Sequence, residues 1–295
     1  MPNLHHTFTP EATIPATLTH CAETPPDTRP LQPRAVGLAT VSCKARDGRS
    51  VLDRLHQQGS MKLLFPQTRD TALTGIVLNT AGGITGGDRF DISADVAPGC
   101  HMILSTQAAE RAYRAQPGEV ARISNRISVG AGGRMDWLPQ ETLIYDGSAL
   151  RRTLEVDLGP DARLLMAEPV IFGRTEMGEV LNHISFRDSI NVRRAGHILF
   201  ADRTLLHGDA TTRLGNRATG AGCGAMASVL LVTPDAERFL DPARTLMPST
   251  GGVSLIGDGV LFARLMALDG FDLRQTLVPL IELLGAATIP KTWMI

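Results

Sequence analysis

The sequence is short of net charge, of aromatic residues and of long apolar runs, and each shortage closes off a class of function. Lys and Arg number 29 against 30 Asp and Glu, a net charge of −1, so the basic footprint of a nucleic-acid-binding domain is missing. No window approaches the roughly 18 uninterrupted apolar residues of a transmembrane helix. The N-terminus has neither a basic start nor an apolar stretch, so no secretory signal is expected and the chain is expected to be cytoplasmic. Aromatics make up only 4%, few for the stacking platforms that sugar rings need. The four cysteines (Cys21, Cys43, Cys100, Cys223) form no C-x-x-C pair, which suits a reducing compartment and small buried thiols. The body histidines at 56, 101, 183, 197 and 207 are dispersed, with none of the spacings of a closed zinc site. There is no G-x-S-x-G nucleophile elbow.

What is there, in 295 residues, divides in two. Residues 1–33 carry seven prolines and seven threonines among four charges. Prolines break helices and cannot sit inside sheets, so this stretch is expected to be a disordered Pro/Thr-rich arm. From residue 34 to 295 a single β-rich domain is expected, because the dominant signal is period two. Phe90, Ile92, Ala94 and Val96 alternate with polar residues, as do Leu154, Val156 and Leu158, and Ile184, Phe186, Asp188, Ile190 and Val192. Apolar runs at 76–78, 102–104 and 229–232 read as more deeply buried strands. Turn signals at 97–99, 116–118, 130–133, 146–147 and 159–161 separate them, the spacing of an all-β chain. A helix is expected over Asp272–Leu284, with Leu273, Leu277, Leu280 and Leu284 on one face and Gly285 as terminator. A second is expected after Thr233-Pro234.

Three segments are chemically unusual. Leu78–Asp88 holds two Gly-Gly pairs, Gly82-Gly83 and Gly86-Gly87, which permit positive φ or close backbone approach. A structural turn, a metal or partner surface and a phosphate cradle are all open for it, although the Asp88-Arg89 that follows lacks the Lys-Ser/Thr of a P-loop. Ser105–Arg114 sets small residues before Glu110-Arg111. Trp137–Gly147 places Glu141 and Asp146 near the ends of a short strand, as general acid and base of a glycosidase-type site or as ordinary solvated charges.

These same phrases, NTAGGITGGD at 79–88, TQAAERAYR at 106–114 and WLPQETLIYDG at 137–147, resemble those of the UreD (UreH) urease accessory family. APGCH at 97–101, GRTEMGE at 173–179 with Glu168 before it, and IPKTW at 289–293 resemble further family segments in the same order. At 291–292 Lys-Thr stands where the family usually has Arg-Ile. The resemblance covers about residues 34–295. It implies a mainly β, β-helical (solenoid-like) fold with about two short helices towards the C-terminal half, and a role that is not enzymatic. Members of the family join UreF and the GTPase UreG on the urease structural subunits and help build the dinickel centre, with no tightly bound cofactor and with transient nickel(II) passing through the interior. An ion in transit needs several weak sites; on that reading Asp88, Glu110, Glu141, Asp146, Glu168 and His101 line or flank the nickel route, and Gly82, Gly83, Gly86 and Gly87 shape the backbone beside Asp88. Two alternatives stand beside this: a protein-interaction scaffold that never touches nickel, and a β-helical carbohydrate-active enzyme.

Overall fold

A computed structural model describes residues 32–285 and 289–294 of the chain. The expected arm at 1–33 lies, apart from Gln32 and Pro33, outside the described residues, as does Cys21. Residues Arg34–Ile295 form one compact unit, and it is mainly β.

The chain winds as a β-solenoid of about four turns. One wall is a seven-stranded sheet whose central strands, Val36–Arg46, Arg89–Val96, Ala121–Val129, Ala149–Leu158 and Ile184–Arg194, run parallel. The antiparallel strands Arg49–Gly59 and His197–Gly208 close its two ends. The facing sheet carries Leu73–Asn79, His101–Thr106, Arg134–Leu138 and Arg163–Phe172 in parallel, extended by antiparallel strands to Gly252–Gly257 at one end and Met61–Leu64 at the other. A narrow third side joins Glu110–Ala112, Thr142–Ile144 and the end of Arg163–Phe172.

The alternation in the sequence puts alternate residues inside the coil. Column follows column across the first wall: Ala39, Ile92, Asn125, Leu154 and Ile190, then Val41, Ala94, Ile127, Val156 and Val192. The corners between the two walls stack as well, the Gly99 and Gly132 amides donating to the Ala131 and Pro160 carbonyls. Each corner is one of the turn signals at 97–99, 130–133 and 159–161. Because the repeat is one of side-chain phase and corner, it leaves no repeated sequence.

Outside the second wall lies the long helix Gly270–Gly285, burying Leu273, Leu277, Leu280 and Leu284 at about 1.5–3 kcal/mol each. It begins earlier than the spacing predicts, because the Asp269 carboxylate rather than Asp272 accepts the first free amide, that of Asp272. Gly285 is its last helical residue with no positive φ; its carbonyl accepts from Arg134 Nη2 at 2.6 Å. Pro279 is accommodated within the helix. After Thr233-Pro234 the chain makes a 3-10 turn, Ala236–Phe239, that continues into the helix Leu240–Leu246. A third helix, Ala210–Gly215, is capped by Asp209. No helix among the described residues is long and apolar enough to cross a membrane.

Candidate functional site

The three unusual segments converge on one place. Together they form the mouth of a cavity of about 170 Å³ inside the coil, room for several water molecules. Its wall is partly apolar, from Met61, Phe90, Ile92, Ile123 and Trp137. The remainder is polar, and polar groups in a solenoid interior carry a desolvation cost that demands partners.

At the mouth, Asn79 Nδ2 donates to the Gly83 carbonyl at 2.9 Å and to both Glu110 carboxylate oxygens at 3.2 Å. Gly83 has φ +149°, and a Cβ there would meet the Tyr113 ring at 2.3 Å. That contact explains the first Gly-Gly pair. Gly86 belongs to the second pair, and a Cβ there would meet the Ala115 and Glu119 side chains at 2.7 Å each. Burial pushes the Glu110 carboxyl up to about 7, against the lowering effect of the Asn79 hydrogen bond.

Deeper in, Arg152 is wholly buried between two carboxylates. Its Nε and Nη2 donate to Asp188 at 3.1 and 2.6 Å. Its Nη1 lies 2.6 Å from Glu168 Oε2 but directs its hydrogen bond to Thr142 Oγ1. Trp137 Nε1 donates to the other Glu168 oxygen at 2.7 Å. Burial raises the Glu168 carboxyl, opposed by Arg152. Glu168 Oε2 and Asn125 Oδ1 are buried and accept no hydrogen bond among the described residues, and both residues line the cavity.

The six expected route residues therefore separate. Glu110 and Glu168 line the cavity. Asp88 clamps its own turn, accepting from the Ala35 and Thr85 amides at 2.8 Å each. Glu141 holds the long helix through a bidentate pair with Arg274 at 2.5 and 2.9 Å. Asp146 accepts from the His183 amide and from Arg114; burial alone would raise it, but these bonds hold it below the usual carboxylate range. His101 pairs with Asp136 at 2.9 Å beside Arg134. It is not among the residues lining the cavity. Sequence reasoning passed over Arg152 and Asn125 as interior groups, and set Asp188 in an alternating strand without giving it a role. Each occupies an apolar phase, Asn125 between Ile123 and Ile127, Arg152 between Leu150 and Leu154, Asp188 between Phe186 and Ile190. A polar residue on the inward beat of a period-two strand is the signal that marks them.

The C-terminal segment seals the same region from outside. Trp293 Nε1 donates to the Leu138 carbonyl at 3.0 Å, and Gln140 Nε2 to the Thr292 carbonyl at 2.6 Å. Motifs far apart in sequence are thus one structural unit. Residues 35–294 match the family model described as UreD urease accessory protein. The chain belongs to the UreD family. It is 48% identical over 246 residues to the urease accessory protein UreD of Ruegeria pomeroyi, covering 83% of this chain and 96% of that one. With its counterpart from Roseobacter denitrificans it shares 45% over 262 residues, 89% and 96% of the two chains. With that of Mesorhizobium japonicum it shares 43% over 268 residues, 90% and 95%. The family is one of accessory proteins rather than enzymes, which sets aside the carbohydrate-active alternative.

Proposed function

We propose that the chain joins UreF and the GTPase UreG on apo-urease in the cytoplasm and assists nickel delivery to the dinickel centre, the ion passing through the interior of the coil as transient cargo. One observation carries this reading: two buried acceptor oxygens, Asn125 Oδ1 and the Arg152-paired Glu168 Oε2, accept no hydrogen bond among the described residues and belong to side chains that line an internal cavity. Oxygen donors spaced along a path suit an ion that must leave again, whereas a closed set of nitrogen and sulfur ligands would retain it. Among the described residues no three His, Cys, Asp or Glu cluster tightly enough to form such a trap. Glu110 at the mouth and Glu168 inside are the two carboxylates of the expected set on this route.

A scaffold without metal contact is the second reading, favoured by the structural bonds that occupy Asp88, Glu141 and Asp146. Co-expression of the urease structural subunits, UreF and UreG with this chain, or with Glu110→Gln or Glu168→Gln, separates the two. On the passage reading both variants co-purify with their partners and leave urease poor in nickel. Normal nickel content in both variants leaves only the scaffold. Full activation with the chain omitted removes the maturation role altogether.

A further inference from the structure

On the outward face of the first sheet, the residues in register across the coil are Val36, Arg89, Arg122, Arg151, Arg187 and Leu205. Four arginines therefore stand side by side on four adjacent strands, about 4.8 Å apart. All four are exposed, and among the described residues none of their side chains makes an ion pair or hydrogen bond. Of the acids on the same face, Asp91 pairs with Arg126 and Glu155 with Arg193, while Asp95 and Asp157 lie three rows away at the far end of their strands. The neighbouring row runs Leu38, Asp91, Ser124, Thr153, Ser189 and Arg203; its three middle members are short and hydroxylic, so they raise no wall beside Arg122, Arg151 and Arg187. The two ends of the row are exposed apolar side chains, Val36 at 61% and Leu205 at 58%.

Like charges directly opposite on paired strands destabilise a sheet. A chain of net charge −1 has no global need of such a row, so its cost points to a partner that neutralises it.

We propose that this row is the docking site of an acidic α-helix of a partner protein, laid across the strands. The four arginines span about 14 Å at the usual strand spacing. Carboxylates at i, i+3, i+7 and i+10 share one helix face and span about 15 Å. Same-face residues of an extended strand recur only every 6.6–6.8 Å or so and fall out of step by the third arginine. Apolar residues at the two ends of a helix of about 16 residues would reach Val36 and Leu205. A polyanion has no use for those apolar ends, and the six-residue row carries no aromatic side chain on which a base could stack.

The test uses the whole chain and a fluorescent helical peptide of about 18 residues with Glu at i, i+3, i+7 and i+10 and Leu at both ends. Its controls are the same peptide with Gln for Glu, and inorganic polyphosphate. Fluorescence anisotropy at low salt is expected to show binding that weakens about tenfold in Arg122→Gln/Arg151→Gln and with the Gln peptide. Arg126→Gln, on the same face but paired to Asp91, is expected to change it little. Arg122→Glu is expected to weaken binding further while raising the melting temperature of the free chain, because it breaks a row of like charges; a merely structural arginine would not split the two readouts. Equal binding of the Glu and Gln peptides overturns the proposal. So does polyphosphate binding more tightly than the peptide at equal charge, or a loss of stability in Arg122→Glu.

Discussion

Glu110→Gln removes a charge from the mouth of the cavity while keeping the shape and the acceptor that Asn79 uses. In the folded chain burial holds this carboxyl up to about 7, against 4.5 in the unfolded chain. The folded state thus keeps its proton longer than the unfolded state does, so the stability it contributes is full below pH 4.5 and lost as pH rises to 7. At about 1.4 kcal/mol per pH unit the full difference comes to about 3.5 kcal/mol. Water reaching the half-buried group through the mouth reduces this to about 2 kcal/mol. A glutamine pays no such cost at any pH. The variant is therefore expected to match the wild type near pH 5 and to exceed it at pH 8 by about 2 kcal/mol, or about 4–8 °C in melting temperature. Thermal and urea unfolding across that range measure it. A stability difference that does not change with pH, or a variant weaker than wild type at pH 8, refutes the reasoning.

Two further substitutions test the frame around the cavity. Glu141→Ala leaves the half-buried Arg274 guanidinium without its bidentate partner and is expected to cost about 2–3 kcal/mol in urea unfolding, with the Gly270–Gly285 helix losing amide-exchange protection first. Gly83→Ala places a methyl against the Tyr113 ring and the Arg111 carbonyl at a φ of +149°; it is expected to destabilise by about 2 kcal/mol or more, and the fluorescence of Tyr113 and Tyr145, whose rings meet edge to face, reports the displacement.

The walls of the coil were legible because period two is a local signal. Ile184, Phe186, Ile190 and Val192 announce a strand before any partner is known, and the corners at 97–99, 130–133 and 159–161 announce where it stops. The helix Gly270–Gly285 was legible from its leucine stripe, but its start was set by Asp269, three residues before the expected first residue Asp272. The site was legible only in part, for a physical reason. A carboxylate in a motif looks the same whether it bonds its own turn, as Asp88 does, or an arginine 133 residues away, as Glu141 does. Which acids remain for the cavity is decided by the winding, and the winding brings Glu168 to Arg152 from strands on opposite walls. The arginine row was invisible for the same reason: its members lie about 30 residues apart and only the register aligns them.

The buried trio Arg152, Glu168 and Asp188 bears on whether the interior serves folding or function. Three charged side chains inside a coil of Val, Ile, Leu and Met are a poor way to stabilise it, because desolvation cancels most of their attraction. If folding were their purpose, removing them together for apolar residues of similar size would weaken the protein. The physics predicts otherwise. Asp188→Leu alone leaves the buried Arg152 with one carboxylate fewer and is expected to cost about 3–5 kcal/mol. The triple replacement Arg152→Met/Glu168→Leu/Asp188→Leu leaves no charge behind, and is expected to match or exceed wild-type stability in urea unfolding. That variant also offers the cleanest separation of shape from chemistry. It keeps the coil, the outward arginine row and the docking surfaces, while turning the polar depth of the cavity into hydrocarbon. Wild-type stability with loss of urease activation on co-expression assigns the trio to function. A triple variant that unfolds instead assigns it to the fold, and the argument that the interior is a conduit loses its deepest polar step.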